Sequence, residues 1–255
     1  MYRIGNLVTR KSYNNDIIFK IVDIVEDNYI LQGYFVRLYA DAKEEDLNLV
    51  NGDVTNDFEP DINEYRTLDR NEYFYLPGKV LHIDGDEDYL ERCMDFYKQV
   101  HVKAIGFKAR EEDISNHIKK LLDEYNPDIL VITGHDAYYK KLGNESNNDN
   151  YKNTSNFIKG VKEARKYYDH NRLIIIAGAC QSNYEELIKA GANFASSPKR
   201  INIHALDPAI IASSVALSDK SKPIDLINIL EKTKYGSKGI GGIITNGTMY
   251  VGYPR

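Results

Sequence analysis

The sequence predicts an α/β fold: a mainly parallel sheet flanked by helices, preceded by a small all-β module. Three observations carry this expectation. Two runs rich in β-branched residues lie close together near the N-terminus, separated by a turn. From residue 79 onward, short apolar runs alternate with stretches of helical period. These apolar runs are uniform, as expected for strands buried on both faces of a parallel sheet covered by helices.

In the N-terminal part, Ile17 to Ile24 and Tyr29 to Leu38 read as strands, with Glu26-Asp27-Asn28 as the hairpin turn between them. Short strands at this spacing suggest a small SH3-like barrel over residues 1–55. Residues 41–72 are acidic and carry the turn signals Asn51-Gly52 and Glu59-Pro60, which places a linker at 56–78. The α/β domain then spans 79–255.

Within that domain Val80 to Ile83 is the first strand. Tyr89, Cys93, Phe96, Tyr97 and Val100 share a helix face after it. Val102 to Phe107 is the second strand, followed by Ile114, Ile118, Leu121, Leu122 and Tyr125 at helical spacing. Ile129 to Ile132 is the third strand. The Asn-rich stretch 143–156 reads as a flexible surface loop. Phe157, Ile158, Val161, Ala164 and Tyr168 mark a helix that Thr154 is placed to cap, and Leu173 to Ile176 is the fourth strand. Ser182 and Glu185 match a capping box, so a helix is expected just past Cys180, stopping near Gly191. Asn193 to Ala195 is a short fifth strand. Asp207-Pro208 and Pro223 open two further helices. Residues 242–251 read as a hairpin around an Asn246-Gly247 type I′ turn.

Composition narrows the function. The chain has 255 residues and a net charge of −5, without the basic excess that marks nucleic-acid binding. Two cysteines, Cys93 and Cys180, imply no disulfide framework and fit a reducing compartment. The N-terminus lacks the apolar segment of a signal peptide, and no apolar run approaches the ~18 residues of a membrane span. No metal-ligand spacing and no cofactor motif occurs, so neither metal nor cofactor is expected.

Two strand ends carry the chemistry. In ILVITGHDAYY, His135 lies just beyond the third strand; in LIIIAGACQSNYEE, Cys180 lies just beyond the fourth. Open parallel sheets bind ligands beyond the carboxyl ends of their strands. On neighbouring strands, ~5 Å apart, the two side chains can face one another. Gly134, Ala177, Gly178 and Ala179 are expected to leave room for a substrate chain. A helix start after Cys180 and a nearby imidazole both favour a thiolate. The pair then suits nucleophilic catalysis, with the backbone N–H groups of Cys180 and Asp136 as an oxyanion hole. The plain alternative is that both are structural residues at strand ends. Cys93 on an apolar helix face and His82 inside a strand read as core. His204 sits between a loop and a capped helix.

A Gly-His turn after one apolar strand and an Ala-Cys end on the next resemble the caspase, legumain, clostripain and gingipain group of cysteine peptidases. That group has glycine after the histidine; here Asp136 follows it and Gly134 precedes it. A closer resemblance, to the YabG family of sporulation peptidases, runs nearly the whole chain. It is carried by GNLVTRKSYNNDIIFKI, VLHIDGDEDYLERC, ITGHDAYY, IAGACQSNYEELIKAGANFASSPKRINIHALDPA and SKGIGGIITNGTMYVGYP. The resemblance implies a caspase-like sheet and a cysteine endopeptidase, with the dyad on His135 and Cys180. It implies cleavage of spore-coat and other spore-assembly proteins, typically after arginine, in the mother cell of a sporulating bacterium.

A P1 arginine needs a carboxylate. By analogy with the related peptidases the candidates are Asp84 and Asp86, at the end of the first sheet strand. Asp86 also suits a helix cap, and Asp207 is a weaker candidate with a cap role of its own. Ser196 and Ser197 are candidates for pairing with an extended substrate by β-addition. Two other readings compete. A class I amidotransferase-like thiol hydrolase places its nucleophile before its histidine, the reverse of the order here. A non-catalytic coat-associated binding protein would use the N-terminal module for interaction. Oligomeric state is not encoded in any feature of the sequence.

Overall fold

The computed structural model describes residues 2–52, 54–55, 58–62 and 73–254. The chain divides into two compact units, Met1–Glu59 and Pro60–Arg255. Of the expected linker, residues 56–57 and 63–72 lie outside the described residues.

The first unit is an antiparallel sheet of five strands: β1 (Leu7–Arg10), β2 (Phe19–Val25), β3 (Asn28–Gly33), β4 (Tyr39–Lys43) and β5 (Leu47–Leu49). Their order is β4-β3-β2-β1-β5. The β2–β3 hairpin pairs Val25 with Asn28, so its loop is Glu26-Asp27, one residue shorter than the sequence suggests. Period-two burial in β2 points Phe19 and Ile21 inward, onto Val8, Tyr29, Leu31, Ala42 and Leu47.

The second unit holds a six-stranded sheet built from β7 (Val80–Asp84), β8 (Ala104–Lys108), β9 (Ile129–Thr133), β10 (Ile174–Ala177), β11 (Phe194–Ser196) and β12 (Ile240–Gly242). The order is β12-β11-β10-β9-β7-β8. All neighbours are parallel except β12, which runs antiparallel to β11. Helices α1 (Glu87–Gln99), α2 (Ile114–Tyr125), α3 (Thr154–Arg165), α4 (Tyr184–Ala190), α5 (Asp207–Ala216) and α6 (Leu226–Glu231) complete the unit. One face of the sheet is covered by α2, α3 and α4. Its core interleaves Leu81, Ile83, Leu130, Ile132 and Ile175 with Ile114, Ile118, Phe157, Val161 and Leu187. On the opposite face α5 packs against β9 and β10, and α1 against β7.

This arrangement matters for the site because strand order reverses at β7. From β7 the chain crosses to β8 on one side and then returns to β9 on the other. That reversal opens a crevice at the carboxyl ends of β7 and β9.

Several local expectations change. The tail is no hairpin: β12 pairs with β11, while β13 (Tyr250–Gly252) pairs with β6 (Phe74–Leu76), a strand absent from the sequence reading. Asn246-Gly247 marks a close backbone approach instead, since a Cβ on Gly247 would lie 2.0 Å from the Ser218 carbonyl oxygen. Helix α4 is capped by Asn183, whose side chain accepts from the Glu186 N–H, and not by Ser182. Asn153 stands at the N-cap of α3, one residue before Thr154. Asp225 caps α6, two residues past Pro223. Stretch 143–156 is tied down by hydrogen bonds from Asn150 Nδ2 to the Asn144 carbonyl and from Tyr151 OH to the Glu145 carbonyl.

Phe157 is fully buried between α2 and the sheet. Phe157→Ala is expected to cost about 3–5 kcal/mol, read as a lowered denaturant midpoint at unchanged m-value.

Candidate active site at the carboxyl edge of the sheet

Register relates the strand ends that the candidate residues follow. Asp84 pairs with Thr133 across β7 and β9, and Ile132 pairs with Ala177 across β9 and β10. Asp86 and His135 each come two residues after the first pair, and His135 and Cys180 each come three residues after the second, beyond the paired strands. Since β9 lies between β7 and β10, the histidine follows the middle strand of the three.

The first pair is in direct contact. His135 Nε2 lies 2.9 Å from Asp86 Oδ2. Both residues are buried, and the Tyr89 ring of α1 packs on the imidazole with centroids 5.4 Å apart. Asp86 is also the N-cap of α1, its Oδ1 accepting from the Tyr89 N–H at 3.1 Å. Burial pushes the Asp86 carboxyl up. The His135 hydrogen bond and charge, with the Tyr89 N–H, outweigh this and hold it below the usual carboxylate range.

Asp84 is fully buried. Its Oδ1 accepts from the Asp86 N–H at 2.9 Å and its Oδ2 from Thr133 Oγ1 at 2.7 Å. The Thr133 hydroxyl also lies 3.0 Å from His82 Nε2, and His82 Nδ1 lies 3.0 Å from the Tyr97 hydroxyl, each at hydrogen-bond distance. His82, expected as mere packing, is thus part of a buried polar chain beneath the site. Neither Asp84 nor Asp86 stands open to a guanidinium, because both carboxylates are buried and engaged on both oxygens. Asp207, likewise buried, accepts from the His204 and Lys234 N–H groups. His204 and Cys93 are also buried, and Cys93 Sγ donates to the Ala205 carbonyl at 3.4 Å.

Cys180 is 0% exposed. Its Sγ accepts a hydrogen bond from the Ile203 N–H at 3.3 Å and lies 3.8 Å from the Ile203 carbonyl oxygen, to which it donates. The segment around Ile203 lies over the thiol. It is held by hydrogen bonds from the Gln181 N–H to the Ile201 carbonyl and from Gln181 Nε2 to Asn202 Oδ1. Helix α4 starts four residues beyond Cys180, so the helix end that the sequence placed at the thiol is displaced from it.

Asp136 joins the two turns. Its Oδ1 accepts from the Ala137 and Asn153 N–H groups, and its Oδ2 from the hydroxyls of Thr154 and Ser182. Ser182 Oγ in turn accepts from the Ala179 N–H at 2.9 Å. The residue after the histidine is therefore pinned to the residue before the cysteine. Burial raises the Asp136 pKa above the ordinary value, against its four donors.

The small residues serve packing. A Cβ on Gly134 would come 2.5 Å from Glu111 Oε1, and one on Gly178, where φ is +103°, 2.8 Å from Leu187 Cδ1. The room attributed to substrate is filled by the protein itself. Glu111, which no sequence signal singled out, reaches across from the loop before α2. Its Oε1 accepts from the His135 N–H at 2.8 Å. A carboxylate beside Gly85 and Gly134, at the ends of adjacent β7 and β9, is visible only once the strands are ordered. Ser196 and Ser197 are buried, and both edges of β11 are taken, by β10 and β12, which leaves no edge for a substrate strand. Among the described residues, no group of three or more His, Cys, Asp or Glu side chains is placed to hold a metal ion. No helix among them is long and apolar enough to cross a membrane.

A parallel sheet with helices on both faces and a polar row at its carboxyl edge is the architecture of a caspase-like α/β protein. The chain belongs to the YabG peptidase U57 family, whose profile matches residues 3–254, and it is a peptidase. It is 40% identical to the sporulation-specific protease YabG of Bacillus subtilis (strain 168), over 99% of this chain and 98% of that protein. A solved structure of a proposed two-component response regulator/GGDEF domain protein aligns over 46% of this chain and 41% of that one. At 18% identity and a TM-score of 0.31 it has no bearing on the fold.

Asp136→Ala leaves two backbone N–H groups and two hydroxyls without their acceptor. It is expected to cost on the order of 3 kcal/mol, read as a lowered thermal midpoint, and to slow peptide hydrolysis with it.

Proposed function

We propose that this chain is a cysteine endopeptidase of sporulation, with Cys180 as nucleophile and His135 as general acid and base. The observation that supports it is that the oriented imidazole and the cysteine follow the carboxyl ends of neighbouring strands, β9 and β10. Membership of a peptidase family supports it.

In this reading the Cys180 thiolate attacks the scissile carbonyl carbon, and the oxyanion is met by the N–H groups of Cys180 and Asp136. The His135 imidazolium gives its proton to the leaving amine as the C–N bond breaks, leaving a thioester. His135 then takes a proton from water, whose oxygen attacks the thioester and releases the thiolate. The Ile201–Ile203 segment gives way for substrate to reach Sγ.

The proposed substrates are spore-coat and other spore-assembly proteins, met in the mother cell and cut after arginine. Asp84, Asp86 and Asp136 are buried and engaged. Glu111 is half-buried and uses one oxygen on His135, so it is the carboxylate at this edge best able to meet a guanidinium. The N-terminal unit is assigned to substrate docking or assembly targeting.

Cys180→Ala and His135→Ala are each expected to lower arginyl-peptide hydrolysis by at least about 10³-fold without unfolding the protein; undiminished turnover in either would end this reading. Glu111→Gln is expected to cut kcat/KM on an arginyl peptide by roughly 10- to 100-fold while leaving the citrullinyl analogue unchanged. Equal losses on both would remove Glu111 from substrate recognition.

A further inference from the structure

We propose that Asp86 is the positioning residue of this active site: it holds the His135 ring by Nε2 and so presents Nδ1 to Cys180. The inference rests on the Cys180–His135 reading and deepens it.

The geometry is specific. The Asp86 carboxylate and the imidazole are 2.9 Å apart, joining residues 49 positions apart in the chain at the point where strand order reverses. The carboxylate is itself immobilised. Its Oδ1 is tied to the first turn of α1 through the Tyr89 N–H, and its backbone N–H to Asp84, which is anchored to Thr133 on the histidine's own strand. Tyr89 from α1 lies against the ring, and Glu111, from the loop before α2, holds the backbone N–H of the same histidine. The ring is thus gripped at one nitrogen, one face and its main chain.

Two consequences follow for proton movement. An ionised Asp86 accepts from Nε2–H, which fixes the tautomer and leaves Nδ1 to take and return the proton. The same carboxylate stands 2.9 Å from the ring whenever the ring holds the proton in transit. The charged and titratable groups facing the pair are Asp84 on β7, Tyr89 on α1, with Arg92 over its ring, and Glu111. None of them can substitute at Nε2, where Asp86 Oδ2 already sits.

Asp86→Asn separates positioning from capping, because asparagine caps a helix about as well as aspartate. Its amide NH₂, turned toward Nε2, forces the tautomer that carries the proton on Nδ1. The expected result is a fall in kcat of about 10²–10⁴-fold, with KM and the thermal midpoint little changed. The pH midpoint for Cys180 alkylation by iodoacetamide should rise by about one unit, read against Cys180→Ala to subtract labelling of Cys93. Asp86→Glu, which keeps the charge, should recover part of both. A wild-type kcat and alkylation profile in Asp86→Asn overturns the inference, as does a loss of kcat with no alkylation shift. If Cys180→Ala itself turns over normally, the dyad reading fails instead, and that outcome is distinct.

Discussion

The buried carboxylate of Asp136 is the constraint on which the site depends. It receives four donors, two from the main chain and two from hydroxyls, and they come from three separate stretches. A carboxyl group with 2% exposure is tolerable only when its lone pairs are met. Here satisfying them also welds the turn after β9 to the turn after β10 and to the start of α3. Thr154 and Ser182 are spent on this task. Neither is an N-cap: Thr154 is the first residue of α3 and Ser182 lies before Asn183, and Asn153 and Asn183 stand at the N-caps. Local helix chemistry yields to a long-range clamp.

The acidic residues at this edge divide the work by depth. Asp84 lies deepest and anchors the end of β7 to Thr133 on β9, with His82 and Tyr97 extending the chain into the core. Asp86 sits one layer out and grips the imidazole. Glu111 is outermost and fastens the main chain of the histidine. The ordering follows the chain outward: Asp84 closes β7, and Asp86, past the bend at Gly85, opens α1. A charge this far inside a sheet is costly unless every partner is in place, and here each partner is supplied by a neighbouring strand or helix end.

How much of this was legible in the sequence follows from the range of the interactions. The strands of the parallel sheet could be read because burial on both faces writes itself as unbroken Ile, Leu and Val. His135 and Cys180 stood out because each directly follows such a run. The grip of Asp86 on His135 could not be read, because it depends on β7 and β9 being neighbours, which strand order alone decides. Asp86 was accordingly weighed as a specificity acid or a simple cap. The same blindness explains Gly134 and Gly178. Glycine signals scarce space equally well whether a substrate or the protein's own Glu111 and Leu187 fills it. The tail misled for a related reason: Asn246-Gly247 is a strong local turn signal, yet β12 and β13 find partners elsewhere, in β11 and β6.

The placement of the row on three separate crossover units has a consequence for biosynthesis. The strands that Asp86, His135 and Cys180 follow are joined only by pairing between elements whose connections each contain a helix. No short fragment of the chain carries the arrangement, and a nascent chain lacks it until β10 has docked beside β9. Non-local parallel pairing of this kind is late and cooperative in folding. Under the proposed Cys180–His135 mechanism, the fold couples hydrolytic competence to completion of the sheet, so that a half-made chain would have no means of cutting its neighbours on the ribosome.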